Sequence, residues 1–125
     1  MNSQDCRVLV VDDVPMITRL YGLLLSKRGY QVQTVNDSRT ALQAVRDFRP
    51  KAVLLDINMP YLSGYEVAVQ IRKEHGFEAL PIIAITSHDD DAHLGKAQQA
   101  GIDHSLVKPC NFDEVEKLLD EFCKD

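Results

Sequence analysis

Val53-Leu54-Leu55-Asp56-Ile57-Asn58-Met59-Pro60 runs apolar, places one carboxylate, and breaks at a proline. A short apolar run closed by a breaker reads as a strand buried on both faces. Asp56 then stands at its carboxyl end. In open parallel α/β sheets that edge is where ligands bind, at the point where the strand order reverses. The rest of the chain can be placed around this aspartate.

Two other stretches share the pattern. Arg7-Val8-Leu9-Val10-Val11 is apolar without alternation and ends at Asp12-Asp13; Ile82-Ile83-Ala84-Ile85 follows Pro81 and ends at Thr86-Ser87. Both read as interior strands of a parallel sheet. Tyr30 to Val35 and Asp103 to Val107 mix polar with apolar residues and suit edges. Between the strands lie helical patterns. Pro15 opens the first, with Ile17, Leu20, Tyr21, Leu24 and Leu25 on one face and Gly29 as terminator. Asp37 or Ser38 caps the second, which carries Leu42, Val45 and Phe48 and ends before Pro50. Ser63-Gly64 leads into the third, with Val67, Ala68 and Ile71 inward. The fourth spans about Asp89 to Ala100, with Ala92, Leu94, Ala97 and Ala100 inward and Gly95 inside it. The last carries Phe112, Val115, Leu118, Leu119 and Phe122.

Strand and helix thus alternate five times, which demands an α/β fold with helices on both faces of a parallel sheet. With strands one, three and four in the middle, right-handed crossovers favour the order 2-1-3-4-5, that of flavodoxin-like, doubly wound sheets. Residues 1–125 make one domain, since 125 residues leave no room for a second. A net charge of -5 argues against binding nucleic acid, and no apolar run approaches a membrane span, so neither direct nucleic-acid contact nor membrane insertion is expected. The N-terminus lacks the regions of a signal peptide. Cys6, Cys110 and Cys123 show no metal-type spacing and read as reduced thiols of a cytoplasmic protein.

The strand ends converge on one crevice, bringing Asp12, Asp13, Asp56, Thr86 and Lys108 together. Taken singly, each has a plainer use: a helix cap, a turn aspartate, a solvated lysine. Taken jointly, three carboxylates repel one another, and a hard divalent cation relieves them. Mg²⁺, or Mn²⁺ in its place, leaves positions open for a phosphoryl group. Lys108 and the Thr86 hydroxyl can compensate the remaining phosphoryl oxygens, and a carboxylate is a known phosphoacceptor.

Val10-Val11-Asp12-Asp13, Leu55-Asp56-Ile57-Asn58-Met59-Pro60 with Gly64 after it, Thr86-Ser87 and Lys108-Pro109 together resemble a response-regulator receiver domain of two-component signalling, of the single-domain, chemotaxis-regulator-like kind. The resemblance covers essentially the whole chain. It implies that Asp56 is phosphorylated from the phosphohistidine of a sensor histidine kinase or phosphotransfer protein, and that a protein-binding surface then switches. It implies Mg²⁺ held by Asp12, Asp13, Asp56 and the Asn58 backbone carbonyl, contacts from Thr86 and Lys108 to the phosphoryl group, and a cis Lys108–Pro109 bond. Such a domain catalyses only its own phosphorylation and slow dephosphorylation. The downstream partner is not named by the residues. The sequence departs from the family three residues before the lysine, where Ser105 replaces a customary aromatic ring. His88 falls at the crevice rim, while His75 and His93 read as solvated. Two rivals are weaker. A module that signals without phosphate has no use for the acidic pair, and a flavin carrier needs a hydroxyl-rich loop where Asp12-Asp13-Val14-Pro15 stands.

The fourth helix, with small inward residues and an interior glycine, is expected to be the least firmly held element. With the fifth strand and last helix it would form the responding face.

Overall fold

A computed structural model describes residues 6–87, 91–108 and 111–123. Five strands form one parallel sheet: β1 (Arg7–Val11), β2 (Gln31–Val35), β3 (Ala52–Asp56), β4 (Ile82–Thr86) and β5 (His104–Val107). Their order is β2-β1-β3-β4-β5, as expected. Every neighbouring pair is parallel; Val11 lies beside Leu55, Asp56 beside Ile85, and Thr86 beside Val107. The carboxyl ends of β1, β3 and β4 therefore lie along one edge. The helices are α1 (Pro15–Lys27), α2 (Ala41–Phe48), α3 (Gly64–Lys73), α4 (Asp91–Ala100) and α5 (Phe112–Cys123).

Unalternating apolar strands bury side chains on both faces, and two core clusters result. One joins Leu9, Val11, Val53, Leu55, Ile82 and Ala84 to α2, α3 and α4; the other joins Val8, Val10, Leu54, Ile83 and Ile85 to α1 and α5. Local chemistry sets the helix starts. Pro15 opens α1, and Ser63 with Glu66 forms a reciprocal capping box at α3. Asp37 caps a 3₁₀ turn, Ser38–Thr40, that leads into α2.

Several local expectations are corrected. In α1, Leu20 is 51% exposed, and its place in the interior goes to Thr18, whose hydroxyl is held by the Pro15 carbonyl and Asn36. In α4, Leu94 is 52% exposed and Ala92 also faces out; the inward residues are His93, Ala97 and Ala100. His93 is thus buried, not solvated. His75 is exposed, as expected. Cys6 and Cys123 are joined in a disulfide, not held as free thiols: both are core residues, 5.7 Å apart between Cα atoms but 117 residues apart in sequence, where spacing carries no pairing signal. Among the described residues no helix is long and apolar enough to cross a membrane. His88, Asp89, Asp90, Pro109 and Cys110 lie outside the described residues, and with them the rim histidine, the cis bond and the helix start before Asp91.

Candidate functional site

Each acidic residue at the sheet edge is placed by backbone geometry. Asp12 follows β1, and its own N–H donates to the Val35 carbonyl at 3.0 Å. The Val14 N–H donates to Asp12 Oδ1 at 2.9 Å, turning that carboxylate back over the start of α1. Asp56 ends β3, and the Asn58 N–H is bonded to its carboxylate. Beyond it the chain doubles back tightly, with the Gly64 N–H donating to the Ile57 carbonyl at 2.8 Å. A Cβ at position 64 would stand 2.5 Å from the Asp56 backbone oxygen and 2.8 Å from Ile57 Cα. The glycine in this motif is therefore a packing requirement of the loop behind Asp56.

Asp12, Asp13 and Asp56 each offer one carboxylate oxygen such that all lie within 4.8 Å of one another. Lys108 Nζ donates to Asp56 Oδ1 at 3.1 Å and stands 3.9 Å from Asp12 Oδ2. Its backbone N–H donates to the Thr86 carbonyl at 2.6 Å, which fixes β5's last turn against β4. Thr86 is fully buried at the end of β4. The cluster closes one end of a cleft of about 570 Å³ whose other walls, Ile17, Leu20, Tyr21 and Phe112 among them, are largely apolar.

Such surroundings disfavour charge. Burial pushes the Asp12 carboxyl above its ordinary value; the Val14 amide opposes this, while the Asp56 charge adds to it. Burial likewise raises Asp56, against the hydrogen bond and charge of Lys108, and Asp13 raises it further. Three carboxylates thus face one ammonium. That surplus of hard oxygen donors suits a divalent cation such as Mg²⁺.

Sequence reasoning missed three contributors. Asn36, just past β2, donates through Nδ2 to the Asp12 carbonyl and to Thr18 Oγ1, both at 2.9 Å. The end of β2 therefore does reach the site, as a brace for Asp12; an Asn closing an edge strand was the available signal. Ser38 is buried, donates to the Pro60 carbonyl at 2.8 Å and accepts from the Leu62 N–H, stapling the loop after β3. His93 is buried and lies 3.0 Å through Nε2 from Ser105 Oγ.

Residues 8–120 match the family model described as the response regulator receiver domain. The chain belongs to the response-regulator receiver family. This receiver domain is 36% identical over 107 residues to the transcriptional regulatory protein KdpE of Mycobacterium tuberculosis, covering 86% of the chain but 46% of that regulator. It spans about half the length of several curated relatives it matches. Among solved structures, the Vibrio cholerae chemotaxis protein CheY4 is similar with a TM-score of 0.88 and 29% identity, covering 94% of this chain and 98% of that one. The receiver domain of the sensor histidine kinase PA1611 from Pseudomonas aeruginosa, solved with a magnesium ion coordinated in its active-site cleft, gives 0.85 and 29%, covering 94% and 96%.

Proposed function

We propose that this receiver is a phosphorylation switch in which Asp56 accepts a phosphoryl group from the phosphohistidine of a sensor histidine kinase or phosphotransfer protein. One observation carries the reading. Asp56 is a buried carboxylate at the end of a central strand, with two further carboxylates and an ammonium against it.

An Asp56 carboxylate oxygen forms the new P–O bond as the P–N bond of the donor breaks, and the departing imidazole keeps the bonding pair. Asp12, Asp13 and Asp56, with the Asn58 backbone carbonyl, would hold Mg²⁺ or Mn²⁺, which supplies positive charge at the phosphoryl oxygens. Lys108 leaves its carboxylate partner and pairs with a phosphoryl oxygen, a compact charge placed before the reaction begins. Thr86 donates its hydroxyl to another. Apolar cleft walls limit water, so the acyl phosphate hydrolyses slowly, returning the Asp56 carboxylate and releasing phosphate. The chain changes only its own covalent state and is no enzyme for a separate product. A kinase donor sets it in the cytoplasm. Its downstream partner is a protein, bound without direct nucleic-acid contact.

The test is incubation with acetyl phosphate and Mg²⁺, borohydride trapping and mass spectrometry. One modified aspartate, Asp56, is expected, and none in Asp56→Asn. Modification confined to Asp12 or Asp13 in the wild-type chain overturns the assignment.

A further inference from the structure

His93 is the third residue of α4 and the first inward-facing one among those described. It is 3% exposed, and both ring nitrogens are engaged. Nδ1 shares a hydrogen bond with the Tyr65 hydroxyl, from α3; Nε2 lies 3.0 Å from Ser105 Oγ, on β5. The Tyr65 ring also packs on the imidazole, centroid to centroid 5.6 Å. A neutral imidazole has one donor and one acceptor, and either tautomer satisfies this chain with a hydroxyl at each end. The imidazolium satisfies it too, donating at both ends. The chain is therefore fully bonded, and parting it costs the hydrogen bonds made at a buried imidazole.

Among the described residues, few other side chains on α4 face inward. Its other inward residues are Ala97 and Ala100, and a Cβ at Gly95 would meet nothing within 4 Å. Alanines bury little area. The imidazole is thus the only large inward side chain among those described on this helix, and it joins three elements. Its Ser105 end lies close to the site. Ser105 sits in register beside Ala84, two residues before Thr86 on β4, and stands three residues before Lys108 on β5. Four residues separate Thr86 from Asp91, the first residue of α4, so the two elements are near neighbours in sequence.

We infer that His93 is a positioning residue that latches α4 in its resting place through a Tyr65–His93–Ser105 chain, and that phosphorylation works by releasing this latch. The inference rests on the reading of Asp56 as phosphoacceptor. It gives Ser105, which has no ring to turn inward, a different part: a hydroxyl that accepts or donates to the α4 histidine. Removing either anchor leaves Asp12, Asp13, Asp56, Thr86 and Lys108 untouched, so acceptance and relay separate.

The experiment compares wild type with Tyr65→Phe, Ser105→Ala and Ser105→Thr by amide hydrogen exchange, with and without beryllofluoride and Mg²⁺, alongside trapping of the phosphoryl group from acetyl phosphate. Wild type should show faster exchange across residues 93–100 once beryllofluoride is added. Tyr65→Phe and Ser105→Ala should exchange there about tenfold faster before any addition, the loss of one buried hydrogen bond, and respond less to it. Both should be phosphorylated as wild type is. Ser105→Thr, which keeps the hydroxyl, should restore wild-type exchange and response. If the two deletions leave both α4 exchange and the response as in wild type, the latch does not exist. If wild type accepts the phosphoryl group but α4 does not respond, the latch is not the relay. Failure of every chain to be phosphorylated sinks the acceptor reading instead, and exchange without additives still decides whether His93 holds the helix.

Discussion

Lys108 Nζ lies 3.1 Å from Asp56 Oδ1, so the one ammonium among the described residues at the site pairs with the carboxylate proposed to be both metal ligand and nucleophile. The same nitrogen reaches Asp12 Oδ2 only at 3.9 Å. Cation and lysine thus compete for Asp56. Lys108→Ala is expected to bind Mg²⁺ more tightly, roughly tenfold for a charge-assisted hydrogen bond of about 1–2 kcal/mol. It should accept phosphate more slowly, on the order of 10²-fold, as a preorganised charge has gone. Calorimetry and trapped phosphoprotein measure the two. Lost metal binding in a folded Lys108→Ala chain counts against the arrangement.

The acid dependence of stability follows from burial of Asp12 and Asp56. Both titrate above their ordinary 3.8 in the folded chain. Folding therefore favours their protonated forms. The stabilisation is present in full below 3.8 and is lost as pH rises through the folded values. Asp37, bonded to Arg39, and Glu74, bonded to Arg46, are lowered instead, and their contribution fades only below ordinary carboxylate values. In metal-free protein the melting temperature should thus rise as pH falls through the raised folded values toward 3.8. Asp56→Asn should flatten that slope. With saturating Mg²⁺ the slope should reverse, since protons then displace a ligand worth about 2.7 kcal/mol at a hundredfold excess over its Kd. A metal-free melting temperature falling over that range in wild type and unchanged by Asp56→Asn contradicts this account.

Asn36→Ala should weaken the site without touching a carboxylate. Its amide braces the Asp12 carbonyl and the Thr18 hydroxyl. The expected cost is about 1 kcal/mol in a urea titration, with weaker Mg²⁺ binding because Asp12 loses its brace. Unchanged affinity would leave Asn36 a structural residue only.

The parts of this molecule that read directly from sequence are those set by short-range pattern. Unbroken apolar runs announced β1, β3 and β4, and the group closing each run announced the site, because a parallel sheet puts all those ends on one edge. What stayed hidden depends on rotation and reach. In α4 the alanine spacing suggested a face through Ala92 and Leu94, but the helix is turned so that His93 faces inward, its polarity satisfied by Tyr65 and Ser105. No one-dimensional pattern shows that a histidine will find two hydroxyls on other elements. Asn36 was hidden because it closes an edge strand whose polar residues give no apolar run pointing to the site. The Cys6–Cys123 pairing was hidden because 117 residues intervene.

The disulfide joins the start of β1 to the end of α5 and closes nearly the whole chain into a loop. Reduction should lower stability by about 2–4 kcal/mol, a range in which loop-closure entropy is the larger part in the simplest account. Without reductant, thiol titration of the unfolded chain should count one free cysteine, Cys110, and three after reduction. A Cys123→Ala chain should lose all sensitivity of its denaturation midpoint to reductant. If wild type is equally insensitive, the pair contributes nothing to stability.

Gly95→Ala tests the weak hold on α4 from the opposite side to the Tyr65 and Ser105 deletions. A Cβ there enters open space, and no positive φ forbids it. The substitution therefore acts through helix propensity alone, worth up to about 1 kcal/mol in a helix interior. Because the inward residues described on α4 are one histidine and two alanines, that gain is large beside its local stability. Exchange in residues 93–100 should slow about fivefold, corresponding to roughly 1 kcal/mol of local stability. Beryllofluoride should then free the helix less completely, since releasing the latch no longer leaves it marginal. Combined with Ser105→Ala, the two changes should partly cancel, one loosening and one tightening the same element. Faster phosphorylation or altered Mg²⁺ binding is not expected, as Gly95 stands clear of the crevice. If α4 is measurably stabilised yet its response to beryllofluoride is unaltered, its marginal hold has no part in the switch.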